Sequence, residues 1–300
     1  AAGIGLMRTE MLLLGHGEAP LAEEEQVTIY RRAAAATGEL GATIRLFDLG
    51  GDKLLPVAEQ EENPFLGWRG VRVLLDRPDD LLRPQVRALL RANAYGTIRV
   101  LLPMVTHLDE VRRIRAVIDD EARRLSAEGA EHDADLPLGV MVEVPAVALQ
   151  ARAFAEAADF LSIGTNDLTQ YVLAVDRGNE RVADHFDALH PAVLQLVRRT
   201  VEAGRATDTP VALCGEVAGD LDAVPILLGL GLQTFSVAPS SLPLVERLIC
   251  RTAQPAAVEL AEAACSATDA TVVRRAARDW LRANVKTDDL FGPHSPELPE

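Results

Sequence analysis

Residues 160–179 read FLSIGTNDLTQYVLAVDRGN. The apolar run Phe160-Leu161-Ser162-Ile163 has the character of a buried strand, and Gly164 ends it. Three polar side chains follow, Thr165, Asn166 and Asp167. Leu168, Tyr171, Val172 and Val175 then recur at helical spacing. The pattern predicts a strand running through a short turn into a helix, with an amide and a carboxylate at the helix start. Backbone N–H groups at a helix N-terminus are unpaired within the helix and attract anions. Arg177 closes the segment, so a metal-binding type of acid, an amide donor and a guanidinium fall within twelve residues. On position alone, Asp167 is equally well explained as a helix cap.

The same grammar recurs on both sides. Upstream, Leu138–Val142 reads as a strand that ends at Glu143, with Pro145 placed for a first helical turn and a helix to about Ala157. Downstream, Val211–Leu213 reads as a strand that ends at Cys214-Gly215-Glu216, and Thr234–Val237 as the next. Earlier strands are expected within Ala2–Thr9, Thr43–Leu49 and Ile98–Leu102. Helices are expected over Ala22–Thr37, from Gly67-Trp68-Arg69, over Pro78–Asn93 and over Leu108–Leu125. Later helices are expected over Val193–Ala203, Asp220–Leu228, Leu242–Cys250, Ala256–Cys265 and Ala270–Asn284. Strands that alternate with helices and lack polar alternation predict a parallel sheet covered by helices. Seven such units in 300 residues suit a TIM-type (β/α)8 barrel, which typically needs about 250. A doubly wound sheet is the second choice. It would be expected to carry a Gly-rich phosphate loop after its first strand, and neither GxGxxG nor GxxxxGK[ST] stands there.

Composition narrows the partners. The net charge is −15, from 45 acids against 30 bases, which disfavours nucleic acid and anionic membranes. A site for a small anion must then be a local arginine cluster. Three cysteines without metal-type spacing suit a reducing cytoplasm. No signal peptide or bilayer-length apolar run is visible. The chain starts at Ala1 without an initiator Met and reads as a fragment. Residues 1–284 are expected to form one barrel domain. The proline-bearing polar tail of 285–300 is expected to be poorly ordered.

The chemistry-bearing residues follow strands. Glu143 and Asp167 end consecutive strands, and two carboxylates suit one Mg²⁺ whose shell is completed by water and substrate oxygens. A structural ion pair is the lesser alternative for Glu143. Arg8, Arg45, Arg69 and Arg177 match phosphate and carboxylate geometry, and Lys53 after Gly50-Gly51 adds a point charge. Surface salt bridges account for any one of these arginines alone. Cys214 at a strand end is placed to deliver a proton to carbon, although a free cysteine is usually a small buried hydrophobe. Glu10 and Glu216 read as holders of the arginines.

Six segments carry a resemblance: GIGLMRTE (3–10), FDLGGDK (47–53), ENPFLGWRGVR (62–72), GVMVEVPA (139–146), SIGTNDLTQYVLAVDRGN (162–179) and LCGEVAGD (213–220). Together they resemble the C-terminal, phosphoenolpyruvate-binding domain of enzyme I of the bacterial sugar phosphotransferase system. The resemblance implies a (β/α)8 barrel that binds phosphoenolpyruvate and Mg²⁺ and forms a homodimer. It further implies that Glu143 and Asp167 hold the metal, and that Arg8, Arg45, Asn166, Asp167 and Arg177, with Arg69 and Lys53, contact substrate. Cys214 resembles the family's proton donor. The phosphoryl acceptor would be a histidine on a separate N-terminal domain, which passes it to a small phosphocarrier protein.

Three departures stand out. The phosphohistidine domain is absent from this sequence, and so is the family's strand before GIGLMRTE, so a barrel short of one strand is expected. Leu46 stands where the family usually has threonine. Two rival functions remain at this point. One is an Mg²⁺-dependent lyase or aldolase acting through a pyruvate enolate, and the other is a non-catalytic binding or dimerisation module.

Overall fold

In the computed structural model, residues 3–12, 21–50 and 61–286 are described. The elements follow in the order β1 (Ile4–Met7), α1 (Glu23–Thr37), β2 (Ala42–Arg45), α2 (Val71–Asp76), α3 (Arg83–Asn93), β3 (Ile98–Leu102) and α4 (Leu108–Glu128). Next come β4 (Leu138–Val142), α5 (Pro145–Leu149), α6 (Ala151–Ala155), β5 (Phe160–Ile163), α7 (Thr165–Leu173) and α8 (Pro191–Thr207). The chain closes with β6 (Val211–Leu213), α9 (Ala223–Gly229), β7 (Thr234–Phe235), α10 (Leu242–Arg251), α11 (Gln254–Ser266) and α12 (Ala270–Asn284).

The strands lie in one sheet in the order β1-β2-β3-β4-β5-β6-β7. Sequential order with helical crossovers is the winding of a TIM-type α/β barrel. A doubly wound sheet would reverse its order partway. The expected class therefore holds, with seven strands among the described residues.

The contacts divide the chain into two units, and the division runs through β4, α6 and β5. The first comprises the chain up to Met141 together with Ala153–Ser162. Its register is parallel, pairing Ala42 with Ile98, Arg45 with Leu101 and Val100 with Leu138. Ile44, Val100, Leu102 and Val140 are fully or almost fully buried, as are Val86, Leu89 and Leu90 of α3. Helices α1, α3 and α4 are laced by ion pairs. Arg83 bonds Glu121 and Asp120, Arg87 bonds Glu23 and Glu128, and Arg91 bonds Glu23 and Glu24.

The second unit comprises Val142–Arg152 and the chain from Ile163 on. Gly164 N donates to Val142 O at 3.1 Å, Cys214 N to Ile163 O at 3.0 Å and Ser236 N to Leu213 O at 2.9 Å. The ends of β4, β5, β6 and β7 are thus hydrogen-bonded neighbours. Val224, Val245, Leu248, Leu281 and Val285 form an apolar cluster that binds α9, α10 and α12 together. Val285, assigned to the polar tail by composition, is 5% exposed and belongs to this cluster. Residues 287–300 lie outside the described residues.

Local differences from expectation have local causes. The second strand stops at Arg45 rather than Leu49, although residues 42–50 are all buried, because the bonds to β3 end with Leu46 N to Leu101 O while burial continues. The helix expected from Gly67 starts at Val71, after Gly70 takes φ 61°, a left-handed turn that a side chain disfavours. The stretch from Pro78 to Leu82 is a wide π-type turn leading into α3. Two short helices replace the one expected from Pro145 to Ala157.

Candidate active site

In the first unit the site residues sit where β1 and β2 end. Arg45 is the last residue of β2 and is 4% exposed, and Arg69 is 2% exposed. A buried guanidinium needs a counter-charge, and two acids supply it. Asp48, fully buried, accepts from Arg69 Nε and Nη2 at 2.9 Å each and lies 3.2 Å from Arg45 Nη1. Glu10, two residues after Arg8, accepts from Arg45 Nη2 at 2.9 Å and from Asp48 N at 2.9 Å. Arg45 Nη1 also reaches Met141 Sδ at 3.9 Å. The quartet of two arginines and two acids is neutral, so its guanidinium planes are fixed without excess charge. Arg8 is exposed. Lys53 lies outside the described residues.

Behind this quartet is a buried polar layer that sequence reading did not single out. Thr9 Oγ1 donates to Arg45 O at 2.9 Å and accepts from Gln85 Nε2 at 3.2 Å. Gln85 Oε1 accepts from Phe47 N at 3.0 Å. The sequence does hold a signal for it: Gln85 stands between Leu81 and Leu89 at the spacing of one helix face, a polar group on a core stripe.

In the second unit the residues sit on adjacent strand ends. Glu143 follows β4 and is 1% exposed, and Asn166 and Asp167 occupy the first turn of α7. Asn166 and Glu216 pair reciprocally. Asn166 Nδ2 donates to Glu216 Oε1 at 3.0 Å, and Glu216 N donates to Asn166 Oδ1 at 3.1 Å. Arg177 Nη1 lies 3.9 Å from the same Glu216 oxygen, and its backbone N donates to Gln170 Oε1 at 3.4 Å. Glu10 and Glu216 therefore do hold arginines, Glu10 closely and Glu216 loosely. Cys214 is half-buried, and its thiol lies 3.6 Å from Ile163 O. Gly215 is required sterically, since a Cβ there would overlap the Thr165 hydroxyl and lie 2.8 Å from Thr165 Cβ. The Thr165 and Thr169 hydroxyls are buried with no hydrogen-bond partner among the described residues.

The donor set suits Mg²⁺. Glu143, directly after β4, and Asp167, in the first turn of α7, offer hard carboxylate oxygens, and the strand ends before them are joined by the Gly164–Val142 hydrogen bond. Among the described residues, no group of three or more His, Cys, Asp or Glu side chains gathers that could hold a metal. A cation on this pair would rely on water and substrate oxygens, which is usual for Mg²⁺. Among the described residues no helix is long and apolar enough to cross a membrane.

A family model described as PEP-utilising enzyme, PEP-binding domain matches residues 1–254, and the chain belongs to this family. It is 43% identical over 276 residues to the phosphoenolpyruvate-protein phosphotransferase of Staphylococcus carnosus, covering 91% of this chain and 48% of that protein. It is 41% identical over 286 residues to the protein of that name from Haemophilus influenzae, covering 95% and 49%. The corresponding protein of Listeria monocytogenes is 42% identical over 272 residues, covering 90% and 47%. The chain thus spans about half the length of the curated relatives it matches.

Proposed function

We propose that the chain binds phosphoenolpyruvate with Mg²⁺ and is the phosphoryl-donating part of a phosphoenolpyruvate-protein phosphotransferase. The observation that supports this reading is the match of residues 1–254 to a PEP-binding family model, in a chain where Glu143 and Cys214 directly follow β4 and β6 and Asp167 opens α7 after β5. Glu143 and Asp167 would hold the Mg²⁺, which supplies charge neutralisation for the phosphoryl group. By the family resemblance, Arg8, Arg45, Lys53, Arg69, Asn166, Asp167 and Arg177 would be the substrate contacts. Phosphoryl transfer depends on positioning and electrostatics more than on covalent help from the protein.

The bond from phosphorus to the enol oxygen breaks as a phosphorus–nitrogen bond forms to a histidine of a separate N-terminal domain. The leaving enolate of pyruvate gains a proton at C3 from the Cys214 thiol, leaving a thiolate. A small phosphocarrier protein would receive the phosphoryl group next. The working form would be a homodimer in the cytoplasm. Dimer formation is checked by sedimentation equilibrium.

Calorimetry tests the binding reading directly. Phosphoenolpyruvate should bind in Mg²⁺ and lose most of its affinity without the metal or in Glu143→Ala, while Cys214→Ala should still bind. Metal-independent binding that Glu143→Ala leaves unchanged would sink the assignment. Pyruvate binding as tightly as phosphoenolpyruvate would point to the lyase type instead.

A further inference from the structure

The buried polar layer behind Arg45 is continuous and directional. Gln26 Nε2 donates to Leu21 O at 2.9 Å, and Gln26 Oε1 accepts from the Tyr30 hydroxyl at 3.1 Å. The Tyr30 oxygen accepts from Gln85 Nε2 at 3.1 Å, and the same amide nitrogen donates to Thr9 Oγ1. Thr9 then donates to Arg45 O, and Phe47 N donates back to Gln85 Oε1. Thr9, Tyr30 and Gln85 are fully buried, and Gln26 is 1% exposed. Burial pushes the Tyr30 hydroxyl well above its usual range.

A buried amide, hydroxyl and phenol in an otherwise apolar helix interface cost stability unless every group is paired. Here each finds a partner, and the partners are particular. Thr9 stands between Arg8 and Glu10. Arg45 O and Phe47 N are the two backbone groups on either side of Leu46. The layer therefore ties the backbone carrying Glu10 to the backbone carrying Arg45, and anchors both to α1 and α3. A catalytic constellation needs such support to hold its geometry within about half an ångström.

We propose that Thr9 and Gln85 are positioning residues that set the Arg45 guanidinium, with its Glu10 partner, for the phosphoryl group of the substrate. This rests on the reading of Arg45 as a substrate contact.

The test uses Thr9→Val, nearly isosteric but without the donor, Thr9→Ser, which keeps it, and Gln85→Met. Phosphoenolpyruvate affinity is measured in Mg²⁺ by calorimetry, with thermal unfolding as the folding check. Thr9→Val should weaken binding by about tenfold, the scale of one lost neutral hydrogen bond. Thr9→Ser should restore binding to near the parent value. In parallel, the Arg45 Nε–Hε resonance should shift in Thr9→Val and return in Thr9→Ser, a readout that needs no ligand. Arg45→Lys separates the two claims. If it leaves affinity unchanged, the substrate-contact reading fails, and the resonance alone decides positioning. If Arg45→Lys weakens binding while folded Thr9→Val binds like the parent and its Arg45 signal does not move, the proposal is overturned. Equal loss in Thr9→Val and Thr9→Ser also overturns it. Should Gln85→Met fail to fold, the Thr9 pair carries the decision.

Discussion

The arginine cluster of the first unit and the strand-end cluster of the second are built on opposite terms. Arg45 and Arg69 are buried, and Asp48 and Glu10 neutralise them through bonds near 2.9 Å. Arg177 and Glu216 are exposed and 3.9 Å apart, while Asn166, Asp167 and Cys214 are half-buried. Charge can be kept in an interior only where its counter-charge is built in. In the second cluster only Glu143 is buried, at 1% exposed, and the other polar groups are left accessible. The first cluster thus spends its interactions on rigidity, and the second keeps them open.

Breaking the first cluster should have the largest effect. Asp48→Ala leaves two buried guanidinium groups short of their shared acid, and should cost about 3–5 kcal/mol of unfolding free energy in urea titration. A loss no larger than that of an exposed ion pair would mean that water reaches these arginines. In the second unit, Gly215→Ala drives a methyl group into the Thr165 hydroxyl and should cost about 1–3 kcal/mol. Adding Thr165→Ala should recover part of that loss, because the overlapping oxygen is gone while the Cβ 2.8 Å away remains. No recovery would place the strain elsewhere.

A smaller effect is expected at Arg274. Its guanidinium donates to Asp187 at 2.6 and 2.9 Å and to Asp220 at 2.9 Å, and Asp222 lies 3.4 Å away. These bonds raise its pKa further above the ordinary arginine range, the Asp187 hydrogen bond first among them. The side chain is 30% exposed, so solvent screens the network. Arg274→Met should cost about 1–2 kcal/mol, less than Asp48→Ala, by the same titration. A larger cost than at Asp48 would reverse the contrast between the two units.

The smallest effects are expected from pH. Glu24, Asp120 and Glu128 titrate below the usual carboxylate range because Arg91, Arg83 and Arg87 respectively hydrogen-bond them. Asp269, capping α12, is lowered first by the Val272 N–H. A carboxyl whose folded pKa is depressed adds stability above its unfolded value, and the gain is lost as pH falls through the folded value. The urea midpoint should therefore stay nearly level down to about pH 4 and fall below it. A decline that begins near neutral pH would implicate other groups.

Legibility in the sequence followed the physics of each segment. The strands β3, β4, β5 and β6 are where largely apolar runs place them, interrupted only by Arg99, Gly139 and Ser162. Glu143, Asp167 and Cys214 stand out in the sequence because each directly follows such a run or the turn after it. The second strand is shorter than its apolar run because such a run reports burial, and the residues from Phe47 to Leu49 are buried beyond the ladder. The relay through Thr9, Tyr30 and Gln85 escaped notice because its members are 76 residues apart at the extreme and none is charged.

By itself the sequence determined the alternation of strands and helices, the acids and the thiol at strand ends, and the family. These are local patterns, since a backbone responds to neighbours within a few residues, and a motif is a run of adjacent side chains. Only the tertiary structure decided which acid neutralises which arginine. Asp48 serves both Arg45 and Arg69, Glu10 serves Arg45, and Glu216 serves Asn166 closely and Arg177 at arm's length. Such pairings join residues tens of positions apart. Their energies depend on burial and distance, and neither exists until the chain has folded.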